Sequence, residues 1–303
     1  MSMETFDLGI AWDREPDNEF VEGLNNYSLK EGLRPYLLHG YNFYASLKDI
    51  SEGNIHFRLF LNRTSEDDPV FSGLPDFLKR KGITFINHPD KAKESGDKFK
   101  MHLRFNSHDM PVLKTVVIGP TEDRKTLVLK IKYVSKPFVL KPANGSCGDG
   151  VILDAQSLDD VIKLKEQHKD IKYIAQEKIL PKNLENKLAW FRVFYSCGKI
   201  TPCWWNPVTY VYDILTLKEV YASGLYDIWY LTKRISQICK LDFFSTDIAM
   251  RGDGKLVIVD YVNDQPDMRK KSKFNGGLPD EIIDKIIGNI IAFVKQKQEK
   301  AKE

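Results

Sequence analysis

Short apolar runs alternate with helical segments through the first ninety residues of the chain. The runs FDLGIAWD, RPYLLHG and IHFRLFLNR have the length of strands, while NEFVEGLNNYSLKEGL, between the first two, has the pattern of a helix. Strands that alternate with helices favour a small parallel α/β layer. The dipeptide His88-Pro89 ends this pattern, so we predict a first domain over residues 1–90.

From about Lys98 onward, hairpin signals replace this alternation. The stretch WFRVFYSCGKITPCWW predicts two strands joined through Cys197-Gly198-Lys199, and STDIAMRGDGKLVIVDYVN predicts a second hairpin through Gly252-Asp253-Gly254. SLDDVIKLKEQHK predicts an amphipathic helix with Ser157 as its N-cap, and DEIIDKIIGNIIAFVKQKQ predicts a long closing helix. The second part of the chain is therefore expected to mix antiparallel strands with helices.

The composition is that of a globular chain with a large core, because 42% of its 303 residues are hydrophobic. Its 45 basic and 42 acidic residues leave a formal net charge of +3, so no overall field favours nucleic acid or a membrane surface as a partner. Four cysteines without a CxxC pair indicate neither a disulfide framework nor a zinc motif. No stretch approaches the ~18 to 20 apolar residues of a membrane span, and we expect a cytoplasmic protein.

A glycine-rich loop follows an apolar strand in PFVLKPANGSCGDG. Gly145, Gly148 and Gly150 lie between two predicted strands, whereas a dinucleotide-binding glycine motif joins a strand to a helix. Val151 follows the last glycine, so the Lys-Ser/Thr ending of a P-loop is absent. Two interpretations remain open: an ordinary surface hairpin, or a loop whose bare amides fold over phosphate oxygens beside the charge of Lys141.

Five motifs follow one another along the chain: SGDKFKMHLRF, the strand and glycine loop just described, YIAQEKI, FRVFYSCGKI and STDIAM…VIVDYVNDQP. In this order they resemble the ATP-grasp superfamily, and its ligases most closely, including the ribosomal-protein glutamate ligase and D-alanyl-D-alanine ligase branches. The resemblance covers residues 91–268. It implies an α/β fold in which a nucleotide lies between two α+β subdomains, residues 91–175 with a glycine-loop lid and residues 176–303 with a metal site, preceded by the first domain.

The resemblance also assigns nucleotide-binding roles. Lys98 and Lys141 would contact the phosphates of ATP, with Lys141 also contributing to catalysis, while the glycine loop closes over them. The loop residues concerned are Gly145, Ser146, Gly148 and Gly150. The hinge residues beside the adenine would be Gln176, Glu177, Lys178 and Ile179.

A catalytic arginine and a metal site complete the implied machinery. Arg192 matches an arginine that neutralises the transferred phosphate, and Asp247, Asp260 and Asn263 would hold Mg²⁺, with Mn²⁺ as an alternative. Phosphoryl transfer depends chiefly on positioning and charge stabilisation, which lysines, an arginine and a metal supply. Mg²⁺ prefers oxygen ligands and usually takes only one or two carboxylates from the protein.

The metal motif departs from the Glu-x-Asn of the ligases. Tyr261 stands where that glutamate belongs, and Asp260 would point to the opposite face from Asn263 in a regular strand. We predict a β-bulge that turns Asp260 toward the metal; the alternative is that Asp260 faces solvent and catalysis is weakened or absent.

Two segments could contribute to the site for the acceptor substrate, and each of them leaves two interpretations open. The segment CWWNPVTYVYDILTLKEVYASGLYDIWYLTKRI, rich in tryptophan and tyrosine, either walls a substrate site or packs a core. The basic run MRKKSK either attracts an acidic acceptor or a second phosphate, or is a solvated loop.

The function implied by the resemblance is ATP-dependent ligation of a carboxylate to an amine or thiol through an acyl-phosphate, with ADP and phosphate as products. The expected partners are ATP and an unknown small-molecule or peptide carboxylate acceptor, and a homodimer is left open. A small-molecule kinase of the same superfamily, favoured by the basic run, and an inactive ATP-binding protein, favoured by Tyr261, are the alternatives.

Overall fold

The first layer of the molecule is a four-stranded parallel sheet. The computed structural model describes residues 3–65, 68–144 and 150–300. The strands are β1 (Glu4–Trp12), β2 (Pro35–Leu38), β3 (Ile55–Arg63) and β4 (Thr84–Ile86), in the order β2-β1-β3-β4. They are connected through a 3₁₀ turn at Glu15–Asp17 and the helices α1 (Asn18–Lys30), α2 (Phe43–Glu52) and α3 (Leu74–Arg80). The predicted parallel α/β layer is thus confirmed.

The second sheet is antiparallel and carries the strand before the glycine loop. It consists of β5 (Thr115–Ile118), β6 (Phe138–Pro142), β7 (Ile152–Ala155) and β8 (Tyr173–Glu177), in the order β5-β8-β6-β7. Its helices are α6 (Arg124–Ile131) and α7 (Leu158–Gln167), whereas α4 (Pro89–Gly96) and α5 (Lys98–Ser107), which precede it in the chain, pack against the third sheet. Ser157 caps α7 in a reciprocal capping box with Asp160, as the sequence predicts.

The third sheet contains both predicted hairpins. Its strands are β11 (Trp190–Ser196), β12 (Lys199–Asn206), β13 (Val211–Ile214), β14 (Phe243–Met250) and β15 (Leu256–Asn263), in the order β13-β12-β11-β14-β15, after a small ribbon of β9 (Asn183–Leu184) and β10 (Lys187–Leu188). Helices α8 (Leu217–Ser223) and α9 (Asp227–Cys239) follow β13. Cys197 and Gly198 both have positive φ, 50° and 93°, which a two-residue hairpin turn of the primed type requires.

The closing helix α10 (Asp280–Lys300) links the first and third sheets through one core. Its isoleucines at 282, 283, 286, 287, 290 and 291 are all buried. They lie in the same hydrophobic cluster as Phe20 of α1, Leu8 of β1 and Phe194 of β11. The two layers therefore share apolar surface that neither could bury alone. In the part of the chain that the structure describes, no helix has the length and apolar character of a membrane span.

We predict that Gly9→Ala destabilises the first layer. A Cβ at Gly9 would lie 2.5 Å from Cδ2 of Phe60 and 2.9 Å from Cγ of Phe57, in a strand with neighbours on both sides. Overpacking of this kind costs about 1–3 kcal/mol in the free energy of unfolding. Gly40→Ala is the matched control, because a Cβ there meets no atom within 4 Å. Urea denaturation that gives equal stabilities for the two variants would contradict the prediction.

Candidate active site

An ion pair joins the second and third sheets at the base of a cleft. Lys141, on β6, lies with its Nζ 3.6 Å from Oδ1 of Asp260, on β15. The Lys141 side chain is 11% exposed, whereas that of Asp260 is 43% exposed. The Asp260 carboxylate therefore faces the open side of the cleft, with the lysine beneath it.

An irregularity in β15 turns Asp260 toward this cleft. Asp260 pairs with Asp247 of β14, but the register shifts on both sides, to Ser245 opposite Asn263 and to Ile248 opposite Ile258. Each shift inserts one extra residue into β15, so Asp260 and Asn263 share a face although they are three residues apart. The predicted bulge is confirmed. That Asp260 binds a metal stays a proposal.

Asp247 is held by Arg192 from the neighbouring strand β11. The Nε of Arg192 donates to Oδ1 of Asp247 at 2.7 Å and Nη2 donates to Oδ2 at 2.9 Å, so the pair is bidentate. Trp190 Nε1 also donates to Oδ2, at 3.3 Å. On its other side Arg192 donates to the hydroxyl of Tyr212 at 2.9 Å and lies over the ring of Trp205, 4.3 Å from its centroid.

These contacts fix both the charge and the orientation of the arginine. Burial alone would lower the pKa of Arg192, but the Asp247 carboxylate outweighs it and raises that pKa. Burial raises the pKa of Tyr212 to about 12, against the opposing effect of Arg192, so the phenol stays protonated. Two of the aromatic residues whose role the sequence left open, Trp205 and Tyr212, are thus core residues that also hold Arg192.

Helix α5 brings Lys98 to the same cleft. Asp97 caps the helix by accepting from two main-chain amides at 3.0 Å, and the amide of Lys98 donates to the carbonyl of Ala143, just past β6, at 2.8 Å. Burial lowers the pKa of Lys141, and the charge of Lys98 lowers it further while Asp260 opposes the change. Because Lys98 acts electrostatically on both partners of the Lys141–Asp260 pair, all of these groups share one cleft.

Partial burial raises the pKa of Asp260, but the positive charges of Lys141, Lys98 and Arg192 outweigh it and hold that pKa below its ordinary value. Asp260 is therefore ionised at neutral pH. The carboxylates of Asp260 and Asp247 thus lie beside three cations, Lys141, Lys98 and Arg192.

The oxygens at this site suit a magnesium ion that is completed by phosphate and water. Oδ2 of Asp247 already accepts two hydrogen bonds, while Asp260 keeps an exposed carboxylate. The Oδ1 of Asn263 accepts from the amide of Gln265 at 3.1 Å and retains a second lone pair. Within residues 3–65, 68–144 and 150–300 no group of three or more His, Cys, Asp or Glu side chains forms a metal cage. Mg²⁺ with one or two protein carboxylates fits this donor set.

The hinge residues lie between the second and third sheets. Glu177, at the end of β8, accepts from Arg251 at 2.9 Å, and Lys178 pairs with Asp154. Ile179 packs in a small apolar cluster on the same side of the third sheet as Asp247. The other members of that cluster are Leu113, Ala249, Val257 and Val259.

Of the glycine loop, the structure describes Gly150. Its φ is +69°, which favours glycine. A Cβ at this position would also lie 3.3 Å from Cγ of Pro142, a close contact that glycine avoids. Gly145, Ser146 and Gly148, together with Cys147, lie outside the described residues.

Gln176 differs in placement from its hinge neighbours. Its side chain is 2% exposed and turns into the interior, where Nε2 donates to the hydroxyl of Tyr261 at 3.1 Å. Tyr261 itself is 1% exposed, and its hydroxyl contacts Nδ1 of His102 at 2.8 Å and Oγ1 of Thr115 at 3.4 Å. The Gln176 side chain therefore does not line the cleft. Sequence reasoning missed both residues: His102 stands in the motif SGDKFKMHLRF, from which only Lys98 was assigned a role, and Thr115 stands in no motif.

Comparison with known proteins decides the fold. The family described as the RimK-like ATP-grasp domain matches residues 95–190. A RimK-domain ATP-grasp protein from Sphaerobacter thermophilus superposes with a TM-score of 0.65 and 18% identity, over 94% of this chain and 98% of that one. The chain has the ATP-grasp fold.

Two further ATP-grasp ligases show the same overall likeness. D-alanine–D-alanine ligase from Bacillus anthracis gives a TM-score of 0.65 at 15% identity, over 99% of this chain and 100% of that one. The ATP-grasp ligase PsnB, solved with a minimal precursor, Mg and ADP, gives 0.61 at 14% identity, over 95% and 99%. No curated protein matches the sequence. The ATP-grasp resemblance and the fold class predicted from sequence are confirmed.

A polar cleft opens where the first layer of this ATP-grasp fold meets the end of β15. It has a volume of about 280 Å³. Gln265 Nε2 donates to the Thr64 carbonyl at 2.9 Å, and Asn87 Nδ2 donates to the Asp264 carbonyl at 3.3 Å, so both walls are tied together. Its polar lining comes from Asn62, Thr64, Ser65, Ser72, Asp76, Asn87, Asp90, Lys93, Asp264 and Gln265. The carboxyl ends of parallel strands are the usual place for a ligand crevice in α/β sheets.

The basic run after the metal motif is engaged by the rest of the chain. Arg269 pairs with Asp267 and lies 3.6 Å from the ring centroid of Phe274. Lys270 pairs with Asp284 at 2.8 Å, and Lys271 donates to the carbonyl of Tyr212 at 3.2 Å. These cations stabilise the local chain, which favours the structural interpretation of MRKKSK.

We predict that Arg192→Gln destabilises the ATP-grasp fold by about 3 kcal/mol, because it leaves the buried Asp247 carboxylate without its cation. Arg124→Gln is the control: Arg124 and its partner Asp159 are 69% and 83% exposed, and such pairs contribute about 0–1 kcal/mol. Urea denaturation measures both. Equal losses would show that Asp247 does not depend on Arg192.

We also predict an acid-dependent loss of stability through His102. Burial lowers the pKa of His102 from 6.5 to about 4. Unfolded chains therefore bind this proton at a higher pH than folded ones, so the contribution is complete above pH 6.5 and is lost as the pH falls toward 4, by roughly 3 kcal/mol. The free energy of unfolding of His102→Gln should therefore fall less steeply than that of the unmodified protein as the pH decreases from 6.5 toward 4. A slope identical to that of the unmodified protein would contradict the assignment.

Proposed function

We propose that the protein is an ATP-dependent, ADP-forming ligase that joins a carboxylate to an amine or thiol. One observation carries the proposal: the bulge in β15 sets Asp260 opposite Asp247 and beside Lys141. Asp260 therefore supplies a carboxylate, although Tyr261 stands at the motif position where the glutamate is expected. ATP-grasp ligases share this fold, but identities below 20% make the reaction a proposal of its own.

The nucleotide would lie between the second and third sheets. Lys98 and Lys141 would bind its phosphates, and Gly145, Ser146, Gly148 and Gly150 would cover them with main-chain amides. The adenine would rest on the apolar cluster around Ile179, with the main chain of residues 176–178 at its edge. Glu177 would help to fix that edge while it remains paired with Arg251.

Magnesium, or manganese in its place, would be held by Asp247, Asp260 and Asn263. When bound there, the ion would supply positive charge that polarises the phosphates. Lys141 helps to keep Asp260 ionised, and Arg192 fixes the orientation of Asp247, so both carboxylates would be positioned to accept it. When the nucleotide binds, its phosphates would pair with Lys141 and Arg192, which now pair with the two carboxylates.

The chain's own cations would stabilise the developing charge during phosphoryl transfer. A carboxylate oxygen of the substrate would form a bond to the γ-phosphorus as the bond to the bridging oxygen of ADP breaks, giving an acyl-phosphate. Arg192, kept in place by Tyr212 and Trp205, and Lys141 would neutralise the transferred group. The amine or thiol would then attack the acyl carbon, lose its proton and expel phosphate.

The polar cleft beside the first layer is the best location for the acceptor. Asp264 and Gln265 line it and directly follow Asn263, so it opens within two residues of the proposed metal site. Its mixture of amides, hydroxyls and charged groups suits a polar small molecule or a peptide end.

The proposed setting of the reaction is the cytoplasm. Cys203 and Cys239 are buried and unpaired, which suits a reducing compartment that also holds ATP.

The two alternatives are weaker. A kinase was favoured by the basic run, whose Arg269, Lys270 and Lys271 are engaged within the chain. An inactive nucleotide-binding protein was favoured by Tyr261, but that residue turns inward while Asp260 takes its place on the cleft face.

We predict that Asp260→Asn lowers the rate of ADP formation at least about 100-fold, because it removes the exposed carboxylate proposed to bind magnesium. A coupled ADP assay with ATP, Mg²⁺ and pools of amino acids, dipeptides and thiols would measure it, with mass spectrometry of products. Asp170→Asn, an exposed carboxylate beyond α7, is the control.

Three outcomes would contradict the ligase. ATP binding without ADP formation across the pools indicates a passive binder. Phosphorylated hydroxyl products without free phosphate indicate a kinase. Unchanged turnover in Asp260→Asn shows that the bulge does not build the metal site.

A further inference from the structure

Tyr261 forms the centre of a buried hydrogen-bonded network behind the proposed site. Its hydroxyl contacts three side chains from three different elements: His102 of α5 at 2.8 Å, Gln176 of β8 at 3.1 Å and Thr115 of β5 at 3.4 Å. The three partners are between 2% and 7% exposed. Few single atoms of a protein connect four elements, and this one lies next to Asp260 in the chain.

One arrangement of protons satisfies the whole network. Asn106 Nδ2 lies 3.4 Å from Nε2 of His102, so this nitrogen accepts and the imidazole proton is on Nδ1. Nδ1 and Gln176 Nε2 then both donate to the oxygen of Tyr261, which donates its own proton to Thr115. The Thr115 hydroxyl in turn donates to a main-chain carbonyl at 2.9 Å. Gln176 Nε2 also lies 3.3 Å from Oγ1 of Thr115 and can donate its second proton there, so every member of the network has a hydrogen-bond partner.

Two of the three partners, and Tyr261 itself, are close in the chain to residues of the proposed site. His102 lies one helical turn after Lys98, on the same face of α5. Gln176 precedes Glu177, and Tyr261 follows Asp260. The ring of Tyr261 also lies 5.9 Å from Nζ of Lys141 and packs edge-on against Phe105 at 5.5 Å.

We propose that Tyr261 and His102 are positioning residues that hold the Lys98 helix, the hinge strand and the Asp260 bulge at fixed separation across the nucleotide cleft. This inference rests on the proposed function, since it is the magnesium nucleotide that the cleft is held ready to bind. Without the hydroxyl, α5 and β15 lose the hydrogen bond between His102 and Tyr261, and Lys98 can move relative to Asp260.

The test is Tyr261→Phe, which keeps the ring and removes the hydroxyl. We expect the affinity for Mg²⁺ and the non-hydrolysable analogue AMPPNP to fall about tenfold or more by calorimetry, as when groups that orient ligands are removed. Tyr195→Phe is the matched control, because Tyr195 is also buried in this core, stacked on Phe244, and stands outside the network. It should lose stability at most and leave the affinity unchanged.

Variants of His102 test the same network in case Tyr261→Phe does not fold. His102→Gln keeps a donor within reach of Tyr261 and should retain affinity within about threefold, whereas His102→Leu should lose as much as Tyr261→Phe. The double variant Tyr261→Phe with His102→Leu should be no weaker than either single variant, because both break one network. A purely structural role predicts lower melting temperatures with unchanged affinity in the folded variants, and that result would overturn the proposal.

The outcomes separate this inference from the ligase itself. If the unmodified protein does not bind Mg²⁺-AMPPNP, the proposed function and this inference both fail. If it binds but forms no ADP with any acceptor, the ligase fails, while the affinities of the variants still decide the positioning role.

Discussion

The site depends on the requirement that a buried charge be paired. Asp247 is 5% exposed, and such a carboxylate is stable only beside a cation that also satisfies its oxygens. Arg192 does both, but a guanidinium in that position needs partners of its own, which Tyr212 and Trp205 supply. The aromatic residues of β12 and β13 therefore contribute to the electrostatics of the cleft, although they are two and three strands away from the carboxylate that they support.

A second ion pair extends this balance from one sheet to two. Lys141 is almost fully buried, so it too needs a negative partner, and it finds Asp260 across the boundary between the second and third sheets. On the proposed function, a magnesium nucleotide would bring both signs of charge: its phosphates would pair with the lysines and the arginine, and its metal with the carboxylates. No buried charge would then be left without a partner.

Much of the fold could be predicted from sequence because it rests on local patterns. The parallel layer, the two hairpins and the Ser157 cap follow from periodicity and turn residues. Helix α6 was missed, since RKTLVLKI exposes Leu129 at 65% and buries only Leu127 and Ile131, which is too little for an apolar stripe to mark it. The polar cleft was missed for another reason: Thr64 and Gln265 are 201 residues apart, and only the shared core of α10 and the first sheet brings their segments together.

The site could be predicted in type but not in orientation. Order and spacing of motifs predicted Lys98, Lys141, Arg192 and Asp247 as site residues; the structure gathers them in one cleft, and their roles stay a prediction. Gln176 shows the limit, because a residue next to a hinge is equally able to face the interior, and its direction depends on partners such as Tyr261 that lie far away in sequence. Strand alternation similarly left Asp260 undecided until the register of β14 and β15 was known.

Register also explains why tyrosine occupies the position where the ligases carry glutamate. With two extra residues in β15, position 261 faces inward, against Phe105 and His102. A glutamate there would bury a carboxylate among apolar and neutral groups, at a cost of several kcal/mol, unless it took up a proton. Tyrosine fills the same volume with a ring and offers one hydroxyl, which the network can satisfy. The irregular register of β15 thus accounts for both directions: the Asp260 carboxylate faces the cleft, and the Tyr261 ring faces the interior.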